Sequence, residues 1–218
     1  AAPAHAQGGA GCPWPGAPGG PIVLDGQFDD WPGRACIADP PGDCGNERLD
    51  TIALFNATNP DDPTAYFMVQ TLEGATQPLG LRLMIDTNDD GVYTSAVDRR
   101  VEVRYQPQAN DSSVDVALYD GAGAFLGTIA SDADWGESLD EGGRRVEWGV
   151  SFAQLGITAG QAIRFRLESR GGNTPGSNAC DATDEVQWSP ADALGLALLA
   201  LALGAGAVVA ARRRRRLA

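Results

Sequence analysis

Through the middle of the chain, apolar and polar residues alternate with a period of two, in short runs separated by Gly, Pro, Asn and Asp. Asp50 to Ala57 sets Ile52 and Leu54 on one face, and Thr64 to Leu72 (TAYFMVQTL) is the next strand. Gly80 to Asp86 places Leu81, Leu83 and Ile85 on one side and Arg82 and Met84 on the other. Arg100 to Tyr105 groups Val101, Val103 and Tyr105 opposite Glu102 and Arg104. Val114, Val116 and Leu118 repeat the pattern, and Ala124 to Ala130 follows as a hairpin partner. Arg145 to Val150 turns Val146, Trp148 and Val150 inward. Ala162 to Glu168 turns Ile163, Phe165 and Leu167 inward, with Arg164, Arg166 and Glu168 outward. Pro21 to Asp25 and Val186 to Trp188 read as strands at the two ends. Alternation with one wet face marks antiparallel sheets. About nine to ten such strands predict an all-β, antiparallel β-sandwich. Ser151 to Leu155, ahead of Gly156, is the one helical turn expected before the tail.

The tail changes the picture. Ala193 to Ala211 (ALGLALLALALGAGAVVAA) carries no charge over 19 residues, and Arg212 to Arg216 follow at once. At about 1.5 Å per residue such a helix spans a hydrocarbon core of roughly 30 Å. The Arg cluster would stay cytoplasmic and leave everything upstream outside the cell. The expected organisation is a leader over 1–20, a β-sandwich ectodomain over 21–189, a transmembrane helix over 190–211 and an Arg-rich tail over 212–218. Ala4-His5-Ala6 has the small-x-small form of a signal-peptidase site. The leader, rich in Ala, Gly and Pro, reads as turn-rich chain outside the core. A C-terminal sorting signal, cut and replaced by another anchor, is a second reading of the same tail.

Charge and cysteines agree with export. There are 29 acidic residues against 16 Arg, so without the five tail Arg the body stands at 11 − 29 = −18. A body that acidic repels phosphate backbones, which excludes nucleic acid as the expected partner. Four cysteines in an exported chain predict two disulfides. The expected pairs are Cys36–Cys44, closing a short loop through Pro40-Pro41-Gly42, and Cys12–Cys180, tying the ends of the domain. A four-cysteine zinc site is the rival, although no CxxC pair supports it. With a single His, at position 5, and no GxSxG, HExxH or P-loop, catalysis finds no support.

The candidate chemistry lies in a loop and in two sets of side chains. Asp86-Thr87-Asn88-Asp89-Asp90-Gly91-Val92 presents side-chain oxygens at positions 1, 3 and 5 and Gly at 6, like the opening of a calcium loop. Asp86, Asn88 and Asp90 would supply side-chain ligands and Val92 its carbonyl. Position 12 is Val97, so Asp98 would stand in for the usual Glu. The alternative is a metal-free, Asx-rich hairpin loop. Trp135 and Trp14, in polar or Gly/Pro-rich surroundings, are candidate aromatic platforms for a sugar. Trp31 and Trp148 read as packing residues, and Trp188 as core or membrane-interface. Arg82, Arg104, Arg164 and Arg166 alternate with Glu102 and Glu168 on outward positions. On neighbouring strands they would form one charged face, suited either to an acidic glycan or to cross-strand ion pairing.

Three segments taken in order carry a resemblance. They are Ile22-Val23-Leu24-Asp25-Gly26-Gln27-Phe28-Asp29-Asp30-Trp31, Leu83-Met84-Ile85-Asp86-Thr87-Asn88-Asp89-Asp90-Gly91, and Val146-Glu147-Trp148-Gly149-Val150-Ser151 leading to Leu155-Gly156-Ile157. The set resembles the family 9 carbohydrate-binding modules and related DOMON-like β-sandwiches over Ile22 to about Trp188. One departure is Ser151, where the family pattern has Pro. The resemblance implies a sandwich, often with structural calcium and sometimes with a sugar site. The expected function is therefore a membrane-anchored, cell-surface binding module for carbohydrate, carrying structural calcium. The rival is a surface-display protein with no small ligand, and an anchored glycoside hydrolase comes third.

Overall fold

The computed structural model describes residues 12–17, 19–74, 78–106, 113–129, 135–137, 143–171 and 179–190. The transmembrane and tail expectations over 190–218, and the peptidase site at 4–6, lie outside them apart from Pro190. Among the described residues no helix is long and apolar enough to cross a membrane.

Two antiparallel sheets face each other, as the alternation predicts. The first holds β1 (Ala35–Ala38), β2 (Thr51–Thr58), β3 (Thr64–Thr71), β8 (Trp135–Glu137) and β9 (Arg145–Ser151), in the order β1-β2-β3-β9-β8. The second is built from β4 (Leu79–Asp86), β5 (Arg99–Gln106), β6 (Ser113–Asp120), β7 (Phe125–Thr128), β10 (Ile163–Gly171) and β11 (Asp181–Ala182), in the order β11-β10-β4-β5-β6-β7. A further strand, β12 (Val186–Trp188), also pairs with β10. Three short strands, β1, β8 and β11, are additions to the predicted set.

Between the sheets lies the larger core. Leu81, Leu83, Ile85, Val101, Val103, Tyr105, Phe165 and Leu167 meet Leu54, Phe67, Val69, Val146, Trp148 and Val150, all of them buried. Trp148 is fully enclosed and stacks on Phe67 at 5.9 Å between ring centroids. Trp188 meets Phe67 and Phe165 edge-on, each at 5.9 Å, so of its two expected places it takes the core. The predicted helical turn is α1 (Phe152–Leu155). Ser151 accepts from the Gln154 amide and Gln154 reaches back to the Ser151 N–H, a reciprocal capping box. Gly156, in the left-handed region at φ 72°, ends the helix.

A second core corrects the reading of the N-terminus. β2 and β3 are buried on both faces, because residues 12–34 cross the outer face of the first sheet. Ile22, Phe28 and Trp31 pack there on Ala53, Phe55, Ala57, Tyr66 and Met68, joined by the partly buried Cys12 and Trp14. Cys12 and Trp14 of the expected leader thus pack against this core, while residues 15–17, 19 and 20 are exposed. Pro21 to Asp25 is not a strand. Its backbone polar groups bond to side chains: the Ile22 N–H donates to Asn59 Oδ1 (2.6 Å), Asn59 Nδ2 donates to the Ile22 carbonyl (2.9 Å), and the Val23 N–H donates to Asp30 Oδ2 (2.6 Å). With those groups satisfied, no neighbouring strand is needed.

The disulfides also differ from expectation. The bonds are Cys12–Cys36 and Cys44–Cys180, not Cys36–Cys44 and Cys12–Cys180. Cys36 lies in β1 with its side chain in the outer core, so it meets the crossing segment. Cys44 precedes β2 and meets Cys180, immediately before β11, tying the two sheets together.

Candidate functional site

The Asp86 loop is ordered by its own acids. Asp86 and Asp98, both fully buried, stand at the end of β4 and just before β5. Asp86 accepts from the amides of Asp90 (3.2 Å) and Gly91 (2.7 Å). Asp98 accepts from the Thr87 amide (3.2 Å), the Ser95 amide (3.0 Å) and the Ser95 hydroxyl (2.5 Å). Asn88 Nδ2 donates to Asp90 Oδ2 (2.8 Å), and the Val92 amide donates to Asp90 Oδ1 (2.9 Å). Asp89, at φ 57°, turns out of the loop to pair with Arg164 and to accept from Gln187 Nε2 at 2.6 Å. The donor set is of the oxygen type a calcium ion takes. Here, however, Asp86 and Asp98 are engaged by backbone amides, and the loop acids do not bring three ligand oxygens within 4.8 Å of one another.

That juxtaposition occurs elsewhere. Among the described residues, the acidic group that meets it is Asp39, Asp43 and Asp181, each offering a carboxylate oxygen within 4.8 Å of the others. Asp39 follows β1, Asp43 precedes Cys44, and Asp181 follows Cys180. Burial, then the nearby charge of Asp181, pushes Asp39 up to about 7. Burial also raises Asp181. None of the three was singled out in the sequence. The signal available was the pair Asp43-Cys44 and Cys180-Asp181, which becomes readable once those cysteines are joined.

The outward Arg residues do share one face. The register aligns Glu168, Arg82, Glu102 and Ala117 across β10, β4, β5 and β6, and aligns Arg170, Gly80, Arg104 and Asp115 beside them. Arg164 and Arg166 continue the face along β10. Arg100 and Arg170, not singled out from the sequence, belong to it as the next alternate positions. Much of the face is paired internally: Arg82 to Glu102 at 2.9 Å, Arg100 to Glu102 at 3.2 Å, Arg170 to Glu168 at 2.6 Å and Arg166 to Glu168 at 3.6 Å. Arg164 reaches off the face to Asp89 and to Glu185 (3.1 Å), and Tyr93 donates to Glu185 at 2.6 Å, holding the Glu185 carboxyl below its usual range. Arg104 is exposed opposite Asp115.

The aromatic candidates separate. Trp14 is no free platform: the Arg145 guanidinium lies over its ring at 3.6 Å, and Phe55 is 6.2 Å away. Trp135 opens the edge strand β8, in register with Trp148. An open cleft of about 450 Å³ lies on the outer side of the first sheet, lined by Ile22, Leu24, Thr64, Tyr66, Gly149 and Ser151 among others. Its polar groups are turned inward to the protein. Tyr66 and Thr64 both donate to Asp62, and Ser151 is occupied in the α1 cap.

The first and third of the three segments behind the family resemblance meet at Glu147. This fully buried side chain accepts from the Trp31 indole N–H (2.7 Å) and from the amides of Asp25 and Gly26 (3.0 Å each). It clamps the N-terminal segment onto β9, and burial pushes its carboxyl up to about 7.

The chain is thus a disulfide-braced β-sandwich with a basic sheet face and a compact acidic cluster. No family model, curated protein or solved structure matches it.

Proposed function

We propose that the chain is a cell-surface recognition module that binds an acidic glycan on the outer face of its second sheet. One observation carries this reading. In a body of 11 Arg and 29 acids, six of the 11 (Arg82, Arg100, Arg104, Arg164, Arg166 and Arg170) stand on that single face. The strand positions there hold four acids, Asp86, Glu102, Glu168 and Asp115, so the face nets 6 − 4 = +2. Arg presents a planar fork that matches carboxylate and sulfate oxygens. A cationic face on an otherwise repulsive body selects an anionic polymer and orients it. Two disulfides suit an oxidising exterior, and the apolar segment Ala193 to Ala211 would hold the module at the membrane.

The competing reading is a display domain whose Arg residues only neutralise Glu102 and Glu168, and the ion pairs within and between strands support it. Affinity electrophoresis of the purified chain in gels containing a polyuronate, a sulfated polysaccharide or a neutral glucan separates the two. Retardation by the anionic polymers alone, weakened at least tenfold by Arg104→Glu with Arg166→Glu and by raised salt, is the expected result. Equal mobility in all three gels at low salt refutes glycan recognition on this face.

A further inference from the structure

Among the described residues five large apolar side chains are exposed, Val23, Val92, Val97, Phe125 and Leu126, at 49% to 60%. Exposed apolar residues scattered singly need no explanation. These five are not scattered. Val92 and Val97 lie on the loop from β4 to β5, and Phe125 and Leu126 open β7 just past the β6–β7 hairpin. The hairpin is packed on that loop. The Gly121 N–H donates to the Asp98 carbonyl (3.0 Å), and a Cβ on Gly121 would stand 2.7 Å from the Tyr93 carbonyl oxygen, so only glycine permits the approach. Arg99 donates to the Gln154 carbonyl (3.3 Å) and joins the loop to α1. The Phe152 N–H donates to the Pro63 carbonyl (2.7 Å), which brings in the connection from β2 to β3. Asn59 of that connection holds Ile22, the neighbour of Val23. All five therefore stand at one end of the sandwich.

The described chain also leaves the sandwich at that end. β12 runs antiparallel to β10, with Trp188 opposite Ile163 at the start of β10, and the Gly160 N–H donates to the Pro190 carbonyl (2.5 Å). Gln161 Nε2 donates to the Thr87 carbonyl (2.7 Å), which sets this exit beside the loop that carries Val92 and Val97. From Pro190 to Ala193, where the uncharged stretch begins, is three residues of sequence, at most about 11 Å of extended chain. A stretch held in a bilayer would therefore keep this end of the sandwich close against the lipid. The opposite end differs in kind. Its described loops, before β2 and after β3, expose Asp43, Glu47, Arg48 and Glu73 and no large apolar side chain. Strands such as β4, with eight residues, set that end about 27 Å further out.

We propose that this end of the sandwich rests on the bilayer surface, with Val92, Val97, Phe125 and Leu126 immersed in its interface. The inference rests on the membrane-anchored part of the proposed function and is independent of the glycan. Taking apolar side chains out of water is favourable, and the tether supplies the proximity, so contacts too weak to hold a free protein suffice. The lipid that suits this end has a neutral headgroup. Asp61 and Asp90 are exposed there and would be repelled by an anionic surface, whereas Asp86 and Asp98 are buried and Asp89 pairs with Arg164. Standing on its end, the sandwich carries the Arg face along its side, clear of the membrane and open to a polymer.

The test is spin labelling of the disulfide-intact full chain in phosphatidylcholine vesicles, read by collision with oxygen and with a water-soluble nickel chelate. Single labels go on Val97→Cys and Phe125→Cys at this end, on Glu73→Cys at the other and on Arg104→Cys on the Arg face. All four positions are exposed, so the core is left intact. Flotation through a density gradient checks the anchor in the same samples. The expected result is a chain that floats with the vesicles, its Val97→Cys and Phe125→Cys labels immersed by about 5 to 10 Å and its Glu73→Cys and Arg104→Cys labels in water. A floating chain whose Val97→Cys and Phe125→Cys labels stay in water overturns the end-on contact and leaves the anchor standing. An immersed Arg104→Cys label in their place lays the Arg face on the lipid and overturns the proposal as well. A chain that does not float removes both the anchor and the proposal, and leaves the electrophoretic test of glycan binding untouched.

Discussion

Replacing Glu147 with Gln alters one buried carboxylate and leaves its shape intact. The three groups that face it, the Trp31 indole and the amides of Asp25 and Gly26, are all donors. The carboxylate can accept from all of them, whereas Gln offers one acceptor oxygen and turns an NH₂ toward either the indole or the two amides. A lost charge-assisted hydrogen bond costs about 1.5 to 3 kcal/mol. Opposed to that is the cost of burying the charge. The carboxyl moves from its ordinary 4.5 up to about 7. At about 1.4 kcal/mol per pH unit, that is a penalty of about 3 kcal/mol on the ionised form. A raised carboxyl binds its proton more tightly folded than unfolded. Its contribution is therefore full below pH 4.5 and is lost as pH rises through 7. The wild type should lose up to about 3 kcal/mol between pH 5 and pH 8 on account of this group.

Asp30, Asp39 and Asp181 are raised too and add slopes of the same sign, so the wild-type curve alone does not isolate Glu147. The difference between wild type and Glu147→Gln does. Urea unfolding of the two proteins at pH 5, 6, 7 and 8, without reductant, measures it. Near pH 5 the folded-state carboxyl is protonated and, like Gln, offers one carbonyl acceptor, so the two proteins should agree within about 1 kcal/mol. By pH 8 the variant should be the more stable, by up to about 3 kcal/mol, because it is spared the buried charge. A gap that stays constant across the range would refute the assignment of the raised carboxyl to Glu147.

Two further substitutions probe the frame. Replacing Cys44 and Cys180 with Ser opens a closure spanning 136 residues of sequence, worth up to about 5 kcal/mol in the chain-entropy account; the expected result is a large fall in Tm, against a smaller one for Cys12 and Cys36, separated by 24 residues. Equal falls would show that the bonds act through something other than loop closure. Ser151→Ala removes the α1 cap and should cost about 1 kcal/mol by urea unfolding, and Ser151→Thr should restore most of it.

The parts of the fold that were legible are those where each strand stands by its own pattern. β4, β5 and β10 alternate strictly, because one face meets the core and the other water; β9 alternates in sequence too, although its second face, with Arg145 and Glu147, is buried. β1, β8 and β11 have four, three and two residues, too few for a period to show. β3 held a hint that went unused: Ala65 to Val69 (AYFMV) is apolar or aromatic at every position, which a strand requires only when both faces are covered. What covers it is residues 12–34, whose Gly and Pro content resembles a loose leader. Its burial comes from a few large side chains, Phe28 and Trp31 above all, and from Glu147 on a strand more than 110 residues away. Local composition carries no trace of such a contact.

The cluster of Asp39, Asp43 and Asp181 stayed hidden in the sequence because of the choice of cysteine partners. Joining Cys36 to Cys44 would have left Asp43 beside Asp39 alone, an exposed pair of acids on a short loop. In the same pairing Cys180 would have taken Asp181 away to the N-terminus. The observed Cys44–Cys180 bond instead carries a neighbouring acid from each side into contact, because Asp43 and Asp181 are each one residue from a bonded sulfur. Sequence search for a metal site looks for ligands spaced within one loop, as in Asp86 to Asp98. An acidic cluster assembled by a disulfide has no such spacing and becomes visible only through the connectivity. The Arg face behaved in the opposite way. Its members alternate within single strands, so only strand adjacency was needed to unite them, and simple antiparallel pairing of β4 with β5 and β10 supplies it.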